Sequence, residues 1–526
     1  MRHSTPVSTV REETFKFFRE MGVDRIFGNP GSTELPMFRD FPDDFDYVLG
    51  LQESVVLGMA DGYAQATRRP AVVNLHSAAG VGHALGNLFT AWKNQTPMVV
   101  IAGQQARSIL PYEPFLFADQ AAEFPKPYVK WSSEPARAED VPLAIARAFY
   151  TSLQPPFGPT FISVPVDDWD VPCDPLEVRQ VSRSLGGDEE MLNQVTEALA
   201  ACKKPVFIVG AEVARDDAWE EVIALAERHQ AAVWASPMSA RNSFPEDHDL
   251  FAGFLPAMRE EIVKRLDGHD VIVVLGAPVF PYHVEGHGPH IPEGSALYHL
   301  TANPGHAALS PVGMSIQTSL KAGIATLLQG PQPNAARTAP PMRQKPARES
   351  GKRLTDIFLF QSLADLRPAG SIIVEEAPSS RPVMQANMPI LDRDGFYTCA
   401  SGGLGHGLPA SVGVALGRPG EKVICILGDG SSMYAIQGLW SAAQQGLPIS
   451  FVIVNNGSYQ ALENFGPQFG LQKLVGTQLP GIDFCALAVG QGVSAARVDK
   501  PENLKQALLN SFNATGPTLV DVMVEE

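Results

Sequence analysis

The chain has 526 residues, of which 45% are hydrophobic and 18% charged, and its formal net charge is -17. That length exceeds what one hydrophobic core usually supports and predicts two or three domains of about 150–200 residues. The charge disfavours a nucleic-acid or anionic-membrane partner, whose field would repel the protein, but says little about small substrates, which respond to the field inside a site.

The start, MRHSTPVSTVREETFKFFREMG, lacks the uninterrupted apolar core of a secretory signal and reads as a first helix. Thr9 and Glu12 have capping-box spacing, Val10, Phe17, Phe18 and Met21 share a face, and Gly22 ends it. Beyond it, short β-branched runs alternate with helical patterns, which predicts α/β domains with largely parallel sheets. AVVNL, MVVIAG and TFISVPV are the first strand candidates, followed after Asp170 by a polar linker, PCDPLEVRQVSRSLGGDEE. PVFIVG, AAVWAS, VIVVLG and ALYHL form a second block. From Gly330 to Arg353 the text is rich in proline and charge, the clearest linker in the chain, and SIIVEE, KVICILG, ISFVIVN and TLVDVMV follow it. The expected domains are 1–180, 181–340 and 341–526. No apolar stretch approaches the ~20 residues needed to span a bilayer. The five cysteines are scattered and without metal spacing, as expected for reduced thiols of a cytoplasmic protein.

A dinucleotide site is the first competitor for function. After AVVNL, the run HSAAGVGHALG places Gly80, Gly82 and Gly86 in a near fingerprint, but the next strand ends in Gln104 and Gln105 where a ribose-binding acid is required. More specific is LGDGSSM at 427–433, with NNGSY following 24 residues after its Gly430. Both lie at the ends of predicted strands, where an open α/β sheet binds ligands. Asp429 offers a hard carboxylate oxygen and Asn456 an amide oxygen, leaving room for phosphate oxygens around Mg²⁺. The helix expected after GDGSSM would direct its N–H groups at the phosphates.

With FGNPGSTELP, LQESVVLGMADGYA, NLHSAAG, GAPVFPYH and ASGGLGHGLPA, this segment makes the chain resemble, almost end to end, the thiamine-diphosphate-dependent decarboxylase family, and its benzoylformate-decarboxylating members most. The resemblance implies three α/β domains: a pyrimidine-binding one, a middle one without flavin, and a diphosphate-binding one. It implies thiamine diphosphate and Mg²⁺ as cofactors, with Ca²⁺ able to substitute. It also implies a homotetramer, a dimer of dimers with sites between subunits, and no nucleic-acid or membrane partner. The implied reaction is nonoxidative decarboxylation of a 2-oxo acid, benzoylformate to benzaldehyde being the leading instance, through a cofactor ylide and an enamine.

Carried over by position, Glu53 matches the cofactor-activating glutamate and Leu404 the apolar wedge that bends the cofactor. Asp429, Asn456 and the Ser458 carbonyl match the metal ligands, and Gly402, Gly430, Ser431, Ser379 and Tyr459 further cofactor contacts. Ser32 matches the serine that contacts the substrate carboxylate, and His76 and His283 the two proton-handling histidines. Histidine suits both tasks near neutral pH. Leu110, Ala461, Leu462 and Phe465 match, or lie beside, pocket positions where burial would stabilise an aryl group. His283, His287 and His290 also raise the alternative of zinc, which the intervening glycines and proline disfavour.

Four departures bear on the substrate: Pro378 where a hydroxyl residue is usual, His406 where an aromatic is common, and Glu463 and Asn464 in place of larger or basic residues. A carboligase or lyase of 2-hydroxy ketones and a decarboxylase of another aromatic or branched 2-oxo acid are the enzyme alternatives. A catalytically silent cofactor binder on the same fold is the alternative from another class.

Overall fold

The computed structural model describes residues 8–525; the opening MRHSTPV of the segment read above and the final Glu526 lie outside them. Each predicted block becomes a six-stranded parallel sheet with helices packed on it. The continuous Val, Ile and Phe runs are its central strands, buried along their whole length, as strands covered on both faces must be.

In the first domain the strands lie in the order Asp46–Leu49, Arg25–Asn29, Ala71–Leu75, Met98–Gln104, Pro159–Pro165 and Ser132–Ser133. In the last they lie in the order Phe396–Tyr397, Ile372–Glu376, Val423–Gly428, Ile449–Asn455, Thr518–Met523 and Ser494–Val498. Counted along each domain, both orders are 2-1-3-4-6-5, so the two domains share one topology. The middle domain differs: Phe251–Phe254, Ala232–Ala235, Pro205–Val209, Val271–Leu275, Ala296–Thr301 and Met314–Gln317, order 3-2-1-4-5-6.

The first helix, Val10–Glu20, has the expected capping box, with Thr9 N–H donating to Glu12 at 2.8 Å. Gly80, Gly82 and Gly86 sit inside the helix Ser77–Asn94 rather than in a phosphate-binding turn. Among the described residues no helix is long and apolar enough to cross a membrane.

The first and last domains meet where the helix Glu53–Thr67 crosses the helix Gly407–Gly417, and one hydrophobic cluster runs through both. Glycines make the approach possible. A Cβ on Gly62 would stand 2.1 Å from the Ala410 carbonyl oxygen, and one on Gly413 would stand 1.8 Å from that of Met59. Asp394 ties in the middle domain: it accepts from Arg68 of the first domain at 2.7 Å and from Arg241 of the middle domain at 2.6 Å.

Because the obstacles at Gly62 and Gly413 are backbone atoms, the neighbours cannot simply rotate away. Gly62→Ala is expected to destabilise the protein by about 1–3 kcal/mol in denaturant unfolding. Gly86→Ala, on an exposed helical position with nothing near its Cβ, is expected to leave stability unchanged or raise it by up to about 1 kcal/mol.

Candidate active site

In a parallel sheet of order 2-1-3-4, the crevice lies beyond the carboxyl ends of strands 1 and 3, where the strand order reverses. In the first domain that point is flanked by Arg25–Asn29 and Ala71–Leu75, and the residues that follow them include Ser32 and His76. Ser32 is exposed and His76 half-buried. His76 Nδ1 lies 2.8 Å from Glu34, whose buried carboxylate also accepts from the N–H groups of Gly31 and Gly103 and from the Thr33 hydroxyl. With Nδ1–H donating to that carboxylate, Nε2 is the nitrogen left for proton exchange. Gly31 makes room for the ring, since a Cβ there would stand 2.1 Å from Nδ1. Glu34 was not singled out from the sequence; the available signal was a carboxylate in the same strand-end loop as Ser32.

Glu53 begins the helix Glu53–Thr67, where Gln52 caps the first turn by accepting from the Ser54 N–H at 2.7 Å. Its side chain is 12% exposed, with Asn29 Nδ2 3.4 Å from one oxygen and His83 Nδ1 3.2 Å from the other. Gly80 lies opposite it: a Cβ there would stand 3.4 Å from the Glu53 side chain. Leu110 opens the short turn Leu110–Tyr112 in a loop that Gln104, Gln105 and Ser77 hold through its backbone at Phe115, Leu116 and Ala118. The two glutamines found in place of a ribose-binding acid therefore fasten a loop.

The matching point of the last domain is flanked by Ile372–Glu376 and Val423–Gly428. Ser379 follows the first strand and Asp429 the second. The expected helix comes earlier than predicted: Asp429–Met433 is itself helical, with Gly428 as its N-cap and Ser432 Oγ donating to the Gly428 carbonyl. Asp429 is buried and accepts from the N–H groups of Gly430 at 2.6 Å and Gly457 at 2.7 Å, which ties LGDGSSM to NNGSY. Of the asparagine pair, Asn455 turns inward to Asp521, while the Asn456 amide oxygen accepts from the Ser458 N–H at 3.1 Å. Gly430 leaves space for the Tyr459 ring, 2.3 Å from where a Cβ would be, and Ser431 is buried beside it. Gly402 and Leu404 lie in the loop before the helix Gly407–Gly417, with Gly402 at φ 72°.

Burial pushes the Asp429 carboxyl above the usual range, with the backbone N–H groups opposing the shift, and among the described residues no Lys, Arg or His forms an ion pair with it. A buried carboxylate without a cationic side chain fits a divalent cation. Asp429 with nearby amide and carbonyl oxygens is a hard donor set of the kind Mg²⁺ takes, completed by phosphate oxygens. Among the described residues no three His, Cys, Asp or Glu side chains cluster as metal ligands, and such a magnesium site does not need them.

His283, at an exposed point of the middle domain, stacks on Phe465 of the last domain with ring centroids 4.9 Å apart and planes 10° from parallel. Ala461, Leu462 and Phe465 lie on the short helix Gln460–Phe465. The other two histidines turn to different partners, His290 to the Tyr282 hydroxyl and His287, through its N–H, to Glu260. Among the departures, Pro378 is exposed, Glu463 accepts from Gln478, Asn464 from Gln460, and His406 is fully buried.

The residues thus fall into two sets, Ser32, Glu53, His76 and Leu110 in the first domain and the remainder in the middle and last. Among the described residues no hydrogen bond, ion pair or ring contact joins the two within one chain.

Known proteins share this arrangement. Residues 8–122, 192–327 and 381–522 match the N-terminal thiamine pyrophosphate (TPP)-binding, central and C-terminal TPP-binding domains of thiamine pyrophosphate enzymes. The chain is 40% identical over 521 residues to benzoylformate decarboxylase of Pseudomonas aeruginosa, covering 98% of this chain and 99% of that one. The crystal structure of benzoylformate decarboxylase from Polynucleobacter necessarius superposes with a TM-score of 0.96 at 39% identity, covering 98% and 99% of the two chains. The thiamine diphosphate-dependent 4-hydroxybenzoylformate decarboxylase of Rhodococcus jostii RHA1 gives 0.94 at 39% identity with the same coverage. These end-to-end similarities show that the chain belongs to the thiamine pyrophosphate enzyme family and is a thiamine-diphosphate-dependent decarboxylase.

Proposed function

We propose that the substrate is an aromatic 2-oxo acid, benzoylformate first among them, released as the aldehyde and CO₂. The observation that carries this reading is the placement of His283 flat against Phe465, on the helix that also bears Ala461 and Leu462. A proton-handling group there adjoins an apolar wall able to bury an aryl ring, worth roughly 25 cal/mol per Å² of apolar surface removed from water. The names of the similar proteins support the same class of acid.

When bound, thiamine diphosphate supplies the electron sink that loss of CO₂ requires. The chain's own groups do the rest. Asp429, the Asn456 amide oxygen and the Ser458 carbonyl hold Mg²⁺, and Gly430, Ser431 and Ser379 meet the diphosphate. Tyr459, Gly402 and Leu404 border the cofactor. Glu53 holds a proton for its pyrimidine ring. Ser32 orients the substrate carboxylate, His76 exchanges a proton at Nε2 with Nδ1 fixed by Glu34, and His283 serves the second transfer.

Each set alone leaves its surroundings open. Tyr112 and Phe115 beside Leu110 are 82% and 87% exposed, and Phe469 and Val475, beyond the Gln460–Phe465 helix, are 74% and 87% exposed. Apolar patches of this kind suit burial by another subunit, so the complete site lies between subunits of a homotetramer. Five unpaired cysteines suit a reducing cytoplasm.

The test is to strip the protein of cofactor, restore thiamine diphosphate and Mg²⁺, and follow aldehyde from a panel of 2-oxo acids through a coupled alcohol dehydrogenase. Cofactor-dependent turnover of benzoylformate or its 4-hydroxy derivative, with little from pyruvate, is expected; a preference for pyruvate would reject the aromatic reading. In the same assay Glu34→Gln is expected to lower kcat by about 10–100-fold, with thiamine diphosphate affinity unchanged. An unaltered kcat would remove Glu34 from the proton path.

A further inference from the structure

The chemistry above leaves unused a fully buried charge pair at the domain junction. His406 Nε2 lies 2.5 Å from Asp61 Oδ2, and neither side chain is more than 1% exposed. Asp61 stands two turns beyond Glu53 on the helix Glu53–Thr67 and also accepts from Gln65 at 2.7 Å and Asn94 at 2.9 Å. His406 is the N-cap of the helix Gly407–Gly417 and follows Leu404 by two residues. Its N–H and those of Gly405 and Gly407 donate to the buried carboxylate of Glu376.

The loop before His406 is fastened along one face of the helix Ser77–Asn94. Asn87 donates to the Gly405 carbonyl at 3.1 Å, Thr90 and Ser401 share a hydroxyl bond of 2.8 Å, and Asn94 accepts from the Ala400 N–H at 2.8 Å. Among the described residues His406 Nδ1 has no hydrogen-bond partner, so the ring is held by its bond to Asp61. A phenyl ring would fill the same space but could not donate to that carboxylate.

We propose that His406 is a positioning residue: through Asp61 it locks the Ser401–Gly405 loop, and with it Leu404, against the first-domain helix that Glu53 begins. The lock stands on this geometry; its consequence for the cofactor rests on the reading of Leu404 given above. The lock is ionic. The ionisable groups facing His406 are Asp61, Glu376 from the strand Ile372–Glu376, and the Cys425 thiol, which lies against Gly407 and which burial keeps protonated. The helix Ser77–Asn94 presents neutral amides and a hydroxyl. Burial alone would weaken the proton's hold on His406, but Asp61 and Glu376 reverse this and raise its pKa above the ordinary value. Burial likewise opposes the charge on Asp61, and His406 overcomes it. A histidine whose folded pKa is raised contributes stability in full below its unfolded value, about 6.5. That contribution is lost as pH rises through the folded value.

The test is a double-mutant cycle on the full chain with Asp61→Asn, His406→Gln and both together, melted at about pH 6 and about pH 9. At the lower pH each single change is expected to drop the midpoint by about 5–15 °C, and the double little further. The coupling should shrink at the higher pH, and losses that add fully at both would overturn the lock. If Asp61→Asn does not fold, the gap between wild type and His406→Gln decides: narrowing with rising pH supports the lock, and a constant gap overturns it. In equilibrium dialysis with Mg²⁺, His406→Gln is expected to bind thiamine diphosphate about 10-fold more weakly. Unchanged affinity would overturn the link to Leu404. If the wild type binds no thiamine diphosphate, the reading of Leu404 falls, while the melting cycle still decides the lock.

Discussion

The crossing of the helix Glu53–Thr67 over the helix Gly407–Gly417 is the contact on which the rest of this molecule depends. Gly62 and Gly413 let two backbones approach more closely than any side chain would allow. The shared core around them, with Val55, Met59, Leu408 and Val412, makes the first and last domains one packed unit. Because such packing tolerates little adjustment, it fixes the direction in which each helix leaves the seam. One helix starts at Glu53; the other is preceded by the loop of Leu404. The seam thus sets where each chain presents both of its site components.

Those components occupy equivalent places in two sheets of the same strand order. Fold alone does not distinguish them, and the side chains do. At the first switch point the chain places ionisable groups suited to the proton transfers proposed for them, His76 braced by Glu34 and Glu53 close by. At the second it places oxygen donors around a buried carboxylate that has no positive partner among the described residues. The middle domain, with a different strand order, adds His283 to the second set through a ring stack on Phe465. On the reading proposed here, three domains contribute to one decarboxylase site, and among the described residues no direct bond joins the two sets within a chain.

What could be read in the sequence follows from where each residue gets its energy. Central strands such as Val271–Leu275 and Ile449–Asn455 are buried throughout, so their apolar runs announce them. Edge strands such as Ser494–Val498 and Ser132–Ser133 are partly exposed, and no apolar run marks them in the sequence, because half of their environment is water. The LGDGSSM and NNGSY pair was legible because strand ends, glycines and hard oxygens coincide at a fixed spacing. The short helix begins at Asp429, earlier than the sequence predicts, because Gly428 serves as its cap. Glu34 and the Asp61–His406 pair were not legible. Their partners stand 42 and 345 residues apart in sequence, and no local pattern marks a buried charge as matched.

The proposed division of the site between chains is most directly tested by complementation. Glu53→Gln disables the first-domain component and Asp429→Ala the last-domain component, so neither protein alone should turn over a 2-oxo acid. Dissociating the two, reassembling them together and assaying aldehyde release separates the possibilities. If sites form between subunits, mixed assemblies contain some sites with both components intact, and turnover reappears to about a quarter of the wild-type value. Mixed assemblies that form, as shown by co-purification of differently tagged chains, and remain inactive would contradict it.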